Sequence, residues 1–287
     1  MKDNIKVTEL KNKKQEKKVL SLLEKIECKN IYLLEGIVSE NPNCKNLLIS
    51  TGNNIMAVAH LKLNRYLYIQ RLGSSFNLNP KFETTIRAIF SDIKSIFGDK
   101  ESVQYLKNLY LDEIEKELDY IFLELPNKRF NPLAFPAYSE ISEENFRITP
   151  NSYPGILRLL ISYEIEELEI DPSKIKKEIL LKIIELRIKR REMTVLSIND
   201  MPIGIAAINA KYNDTCQIGS VYLDKLYRGK GYGALLLSEH IKKLFKMYKR
   251  IVLFVKKNNE IAYNLYKKLG FVAKGELEQI IIKKKSE

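Results

Sequence analysis

The residues best suited to chemistry lie in one stretch, Val221 to Gly233, where an apolar segment leads through a glycine-rich turn into a helical pattern. Two cations and three glycines form this turn: Arg228, Gly229, Lys230, Gly231 and Gly233. Glycines let a backbone approach a ligand closely, and the helix start that follows offers N–H groups and a partial positive charge. The turn is neither a Walker A loop nor a G-x-G-x-x-G dinucleotide fingerprint. It predicts a phosphate site, with a tight turn that binds nothing as the alternative.

A second stretch runs from Asn259 to Phe271 and follows the apolar run IVLFV, which is typical of a strand buried on both faces. Ala262, Tyr266 and Leu269 fall on one stripe of a helix. Asn259 stands where a helix N-cap is expected, since its side chain can accept a hydrogen bond from the first turn. The stretch therefore predicts a capped helix that packs through this stripe.

Together the two stretches resemble the GNAT acetyltransferase family. The first matches the Arg/Gln-x-x-Gly-x-Gly/Ala signature of that family through Arg228, Gly231 and Gly233, and the second resembles its Asn-x-x-Ala-x-x-Leu-Tyr-x-x-x-Gly-Phe stretch. The resemblance covers about residues 144 to 287, the size of one complete domain. It implies an N-acetyltransferase that moves an acetyl group from acetyl-coenzyme A to a primary amine, by direct attack in a ternary complex.

The resemblance also implies roles for individual residues. It assigns coenzyme A binding to the strand end, the turn and the second helix, namely Val221, Tyr222, Leu223, Arg228, Gly229, Lys230, Gly231, Tyr232, Gly233, Asn259, Ala262 and Tyr266. Tyr266 is further expected to be the general acid near the sulfur atom, with a purely structural core role as the alternative.

The general base is less apparent, because the strand CQIGSVYL lacks the glutamate that many relatives carry there. Glu164 is the candidate base or acceptor contact, since it lies on the helix that borders the acceptor cleft in this family. Glu166 and Glu167 share that helix, and a solvated acidic face is the alternative for all three carboxylates. The acceptor itself is left open, from a small amine or polyamine to a lysine side chain.

These residues need a scaffold, and the pattern predicts a mixed α/β (α+β) fold with a mostly antiparallel central sheet flanked by helices. Five of the nine prolines fall between Pro126 and Pro154, which places a boundary near residue 140 and domains at 1–140 and 141–287. In the second domain we expect a strand at NFRIT, helices at 153–168 and 173–190, three antiparallel strands, then helix, strand, helix and strand. Ile175, Ile179, Ile183 and Leu186 form the expected buried stripe of the second helix.

The first domain gives a weaker pattern that loosely repeats this order. We expect helices at 9–26 and 83–97 and strands at LLIS, IMAVAHL, RYLYIQRL and YIFLEL. The segment RLGSS follows a strand but lacks the Arg-x-x-Gly-x-Gly pattern. The resemblance thus implies a tandem protein whose residues 1–140 form a degenerate GNAT-like domain that does not bind coenzyme A in the usual way.

Composition limits the other functional classes. The net charge is +12, and 16 Lys and Arg against 6 Asp and Glu lie between Asp224 and Glu287, around the glycine turn. A nucleic-acid surface and a coenzyme A-binding regulator or sensor without turnover remain the alternatives. Three scattered cysteines and the distant His60 and His240 predict no metal site. We expect a cytoplasmic protein without a membrane span, either a monomer with an internal pseudo-dimer or a homodimer.

Overall fold

The computed structural model describes residues 5–39, 41–62, 65–72, 80–89, 92–133 and 141–283. Packing divides the chain into two compact units, and neither is continuous in sequence. The first unit comprises Met1–Phe122, Phe254–Asn259 and Ala273–Glu287, and the second comprises Leu123–Leu253 and Glu260–Val272. The predicted boundary near residue 140 lies outside the described residues.

The fold is mixed α+β, with mostly antiparallel strands flanked by helices. The described strands are β1 (Ile5–Glu9), β2 (Cys44–Thr51), β3 (Asn54–Lys62), β4 (Tyr66–Arg71), β5 (Ser95–Asp99), β6 (Ile114–Pro126), β7 (Met193–Ile198), β8 (Met201–Tyr212), β9 (Thr215–Leu223), β10 (Arg250–Lys256) and β11 (Val272–Ile282). The described α-helices are α1 (Lys13–Leu23), α2 (Ile31–Val38), α3 (Pro80–Ile89), α4 (Lys100–Lys107), α5 (Tyr153–Glu166), α6 (Lys177–Lys189), α7 (Tyr232–Leu244) and α8 (Glu260–Lys268). None of the described helices is long and apolar enough to cross a membrane.

The first unit is built on strands in the order β1-β2-β3-β4-β5-β11-β6. β1 to β4 pair as antiparallel neighbours, whereas β4 and β5 are parallel. β11 joins β5 in antiparallel register, from Leu277 opposite Asp99 to Ile281 opposite Ser95. The last strand of the chain therefore belongs to the first unit, where Ile280 is fully buried in its core.

The second unit is built on strands in the order β6-β10-β9-β8-β7. β7, β8 and β9 are antiparallel, as predicted, and tight turns connect them. Asn199, Asp200 and Asn213 take positive φ angles of 50°, 61° and 46° there, which asparagine and aspartate tolerate better than most residues. α5 and α6 cover one face of these strands, with Leu159 and Ile184 completely buried.

Two predictions in the second unit are wrong. NFRIT does not form a strand, because Glu143–Phe146 is a 3-10 turn held by a capping box between Ser142 and Asn145. The expected stripe on α6 is also displaced: Ile179 and Leu186 are 51% and 45% exposed, and the buried positions are Leu180 and Ile184. Ile175 lies before the helix, because Pro172–Lys174 forms a separate 3-10 turn capped by Asp171 and α6 begins only at Lys177.

The weaker patterns of the first unit were also partly wrong. The helix expected at 83–97 ends at Ile89, and its last residues belong to β5. The helix expected at 9–26 begins only at Lys13, because residues up to Glu9 pair with β2 as β1. The strands expected at LLIS, IMAVAHL, RYLYIQRL and YIFLEL are confirmed as parts of β2, β3, β4 and β6.

Candidate active site

The strand β9 carries a bulge immediately before its C-terminal end. Ser220 takes a φ of 47°, and the register with β8 shifts beside it. Arg187 of α6 donates hydrogen bonds to Ser220 Oγ (3.2 Å) and Asn209 Oδ1 (3.0 Å). A Cβ on Gly219 would lie 1.9 Å from Asn209 Nδ2, so the position next to Ser220 requires glycine. The bulge is therefore fixed by side chains from β8 and α6.

Beyond this bulge β9 extends past its described pairing with β10. The parallel register covers three residue pairs among the described residues, from Thr215 with Arg250 to Gln217 with Val252. Ile218 to Leu223 continue beyond the last of these pairs. Val221 and Leu223, both partly buried, lie on this extension and point to the same side of the strand.

The glycine turn connects the extension to α7. Gly229 and Gly231 take φ angles of 74° and 84°, which glycine adopts without steric strain. Gly231 is the N-cap of α7, and Ala234 donates the first backbone hydrogen bond of the helix to it (3.1 Å). A Cβ on Gly233 would only make ordinary contacts, 3.9 Å to Leu265 and 4.0 Å to Leu223. Packing therefore does not require glycine at position 233.

Arg228 is held at the mouth of the turn by Glu166, from the last turn of α5. Arg228 Nη1 donates to Glu166 Oε1 (2.5 Å), and its Nε donates to the Leu223 carbonyl (3.0 Å). The Tyr222 hydroxyl donates to Glu166 Oε2 (3.0 Å), and Lys225 Nζ lies 3.3 Å from the same oxygen. The hydrogen bond from Arg228 lowers the pKa of Glu166 and raises that of the guanidinium, so both stay charged at neutral pH.

α5 holds the same turn at a second point. Arg158 Nη1 pairs with Asp224 Oδ2 (2.5 Å), and its Nη2 donates to the Pro202 carbonyl (3.0 Å). Asp224 in turn accepts from the Leu226 amide (3.1 Å) and begins the 3-10 turn that precedes Arg228. One helix thus positions both ends of the segment that leads into the glycines.

Tyr266 lies on α8, one residue after Leu265, which faces Gly233. Its ring packs edge-on against Phe271 (5.8 Å between centroids) and the residue is 8% exposed. Burial, followed by the charge of Glu167, raises the pKa of Tyr266 above its ordinary value. The phenol therefore keeps its proton through neutral pH. Asn259 directly precedes α8, and Ala262 is partly buried on its first turn.

Glu164 lies in the last turn of α5, two residues before its end, and is partly buried. Burial raises its pKa, and the charge of Arg187 opposes that shift. Its electrostatic partner therefore belongs to the group that fixes the β9 bulge, whereas Glu166 pairs with Arg228. A carboxylate with a raised pKa is better matched to proton transfer near neutral pH than an ordinary one.

Lys230 and Tyr232 flank the left-handed Gly231. Lys230 Nζ donates to the Leu226 carbonyl (3.0 Å) and lies 5.8 Å from the centre of the Tyr227 ring. Tyr232 packs edge-on against the same ring (5.9 Å). These contacts stabilise the shape of the turn from outside its glycines.

Within the second unit, the end of β9, the glycine turn and α8 lie close together, since Leu223 and Leu265 are 4.0 Å and 3.9 Å from where a Cβ on Gly233 would lie. Sequence reasoning had no means of selecting Glu166 over Glu164, because both lie on one acidic helix end. It also missed Arg158, Arg187 and Asn209. The one available signal was Gly219, since a glycine inside a strand often marks a bulge or a close approach.

Comparison with known proteins agrees with this geometry. Residues 155–271 match the model of the acetyltransferase (GNAT) family. The chain is 37% identical over 75 residues to a spermine/spermidine N(1)-acetyltransferase from Bacillus subtilis, which covers 24% of this chain and 49% of that protein. The curated relatives that the chain matches are covered over only 39 to 49% of their own length.

Two solved structures share the fold over nearly the whole chain. A GCN5-related N-acetyltransferase from Sphaerobacter thermophilus superposes with a TM-score of 0.67 at 14% identity, covering 100% of this chain and 98% of that one. A tandem GNAT protein from the clavulanic acid biosynthesis pathway gives a TM-score of 0.59 at 12% identity, covering 99% and 100%. The chain therefore has a tandem GNAT fold, and its residues 155–271 belong to the GNAT family of acetyltransferases.

Proposed function

We propose that the second unit transfers an acetyl group from acetyl-coenzyme A to a primary amine of a small polycation, such as a polyamine. The observation that carries this proposal is the left-handed glycine turn at the start of α7, which follows the part of β9 that extends beyond its pairing with β10. The named relative is a spermine/spermidine acetyltransferase, which supports the acceptor class.

The turn suits the pyrophosphate of the donor. The Gly233 amide precedes the first hydrogen bond of α7, and the helix start favours negative charge. Space beside Gly233 is left open by its neighbours, which allows a ligand to approach the backbone. Arg228 and Lys230 add positive charge, while Val221 and Leu223 offer backbone groups to the pantetheine arm. Ala262, in the first turn of α8, completes the proposed donor site.

The donor supplies an activated acyl group as a thioester. Tyr266 donates its phenolic proton to the departing sulfur as the carbon–sulfur bond breaks and the carbon–nitrogen bond forms. Glu164, directly or through water, accepts the proton that the attacking amine loses. Because its pKa is raised, Tyr266 keeps the proton that it must donate. The pKa of Glu164 is also raised, which brings this pKa closer to neutral pH.

Three carboxylates cluster on the proposed acceptor side. Glu164, Glu166 and Glu167 occupy the last turn of α5 and its C-cap. Carboxylates there can bind the charged nitrogens of a polyamine while a neutral nitrogen attacks the thioester. Since β9 has no glutamate, a coenzyme A-binding protein without turnover is the second candidate.

The test begins with calorimetric titration of acetyl-coenzyme A into the wild-type protein and a Gly231→Glu/Gly233→Glu double variant. Bulk and negative charge at the turn should abolish binding, whereas Gly275→Glu, at an exposed glycine with open space around it, should not change it. Thiol release with spermidine and spermine then measures turnover. Binding without turnover across a wider amine screen would favour the second candidate, and no binding by the wild type would contradict both.

A further inference from the structure

Glu166 contacts both the glycine turn and the end of β9, and its carboxylate has one hydrogen-bonding position to spare. Oε1 accepts from Arg228, while Oε2 accepts from Tyr222 and lies near Lys225. A carboxylate can accept about four hydrogen bonds. Because the side chain is 26% exposed, a further donor can reach it from solvent.

The charges around the turn are nearly balanced. Four cations and three carboxylates make up this group: Arg158, Lys225, Arg228, Lys230, Glu166, Glu167 and Asp224. The group therefore carries one net positive charge, which disfavours an approaching ammonium. A pyrophosphate diester brings about two negative charges, one for each phosphate. With the donor bound, the same group becomes negative by about one charge and attracts an ammonium.

We propose that Glu166 is a specificity-determining residue that links the two substrates: once a pyrophosphate lies beside Arg228, the Glu166 carboxylate binds a protonated nitrogen of the acceptor. This inference rests on the proposed function. Lys225 already places an ammonium 3.3 Å from Oε2, and this lysine side chain is 71% exposed and therefore easily displaced. A polyamine fits because one charged nitrogen can bind here while another, neutral nitrogen reacts.

Binding linkage gives the inference a measurable consequence. If the donor strengthens acceptor binding, the acceptor must strengthen donor binding by the same factor. We expect coenzyme A, which cannot transfer an acetyl group, to tighten spermidine binding about tenfold in calorimetric titrations, within the usual range of such coupling. In Glu166→Gln the factor should fall below about twofold, because the charge is lost while the shape is kept.

Two controls keep the test independent of folding defects. Glu178→Gln removes an exposed carboxylate from α6 and should preserve the full coupling. Pantetheine, which lacks the pyrophosphate, should not tighten spermidine binding to the wild-type protein.

The possible results separate this inference from the proposed function. Undiminished coupling in Glu166→Gln, or equal coupling by pantetheine and coenzyme A, would overturn the role of Glu166. Binding of both ligands without coupling in the wild type would also overturn it, while turnover would still support the proposed function. Failure of coenzyme A to bind would contradict both.

Discussion

Tyr266 combines a buried ring with a proton that burial retains. Replacing it with Phe removes one oxygen from a packed position, so the fold and donor affinity should change little. We expect kcat to fall by at least about 100-fold, the lower end of what general acid catalysis contributes. Thiol release under saturating donor measures this rate. Tyr263→Phe, on the same helix, is the matched control, and full activity of Tyr266→Phe would show that the phenol has only a structural role.

Tyr266 should not cause the rate to change with pH near neutrality. Burial raises its pKa above the ordinary value of about 10, so the phenol is already protonated at every pH below that. Any rise in rate between pH 6 and 9 must then come from another group losing a proton, such as the amine.

His240 makes stability depend on pH. The residue is 1% exposed, and its Nδ1 forms a hydrogen bond with Thr194 Oγ1 (2.9 Å). Burial lowers the pKa of His240 to about 3. The unfolded chain binds a proton at this histidine below about pH 6.5, whereas the folded protein does not until about pH 3. The stabilisation is therefore complete above pH 6.5 and is lost as the pH falls, by about 1.4 kcal/mol per pH unit.

Urea unfolding of the wild type and His240→Asn at pH 7.0 and 5.5 tests this slope. Asparagine places a polar atom where Nδ1 contacts Thr194 but does not titrate. The variant should be less stable at pH 7.0, because it leaves a cavity, and should lose less stability on acidification. Equal losses in both proteins would contradict the assignment.

At the scale of elements, the two signature glycines of the turn serve different purposes. Gly231 has a φ of 84° and caps α7, so Ala at this position should destabilise the protein by about 1 kcal/mol and weaken donor binding several-fold. Gly233 lies inside the helix with ordinary space around it, so Ala should stabilise by about 0.5 to 1 kcal/mol. The family signature accepts Ala there, and we expect donor affinity within about threefold of the wild type. Urea unfolding and calorimetry measure both effects, and the opposite order would disprove the distinction.

The elements also show how far sequence reasoning reaches. β7 to β9, α7, β10 and α8 follow from local apolar periods, turn residues such as Asn199-Asp200, and the glycine turn, all of which are short-range signals. The buried face of α6, with Leu180 and Ile184, is set by packing against α5 and the strands, which the spacing of its apolar residues does not reveal. The helix predicted at 83–97 runs into β5, whose register depends on β11, more than 170 residues later in the chain.

The candidate site divides in the same way. Its glycines, Arg228 and Tyr266 stand out by type and spacing in the sequence. Glu166 becomes distinct from Glu164 only when α5 packs beside the turn, since Glu166 accepts a hydrogen bond from Arg228 whereas Glu164 is influenced by the charge of Arg187. Long-range pairing of charges was therefore the missing information.

At the scale of the whole molecule, both units repeat the order of antiparallel strands, helix, parallel strand and helix, but they differ where a donor would bind. In the first unit β4 and β5 pair over four residue pairs, up to Ile69 with Gly98. A Cβ on Gly98 would lie 2.3 Å from the Ile69 carbonyl oxygen, so the strands are closely joined. Gln70 Nε2 then donates to Asp99 Oδ2 (2.8 Å) just beyond the last pair. These contacts hold the ends of β4 and β5 together.

We therefore expect one acetyl-coenzyme A per chain, bound by the second unit, and the Gly231→Glu/Gly233→Glu variant should lose all of it. Calorimetry should give a stoichiometry near one, because β9 extends beyond its pairing with β10 whereas β4 and β5 are closed by backbone and side-chain hydrogen bonds. Gln70→Ala, which removes one bond of that closure but not the strand pairing, should leave the stoichiometry unchanged. Two sites in the wild type, or a remaining site in the double variant, would mean that the closed strands of the first unit can open to admit a donor.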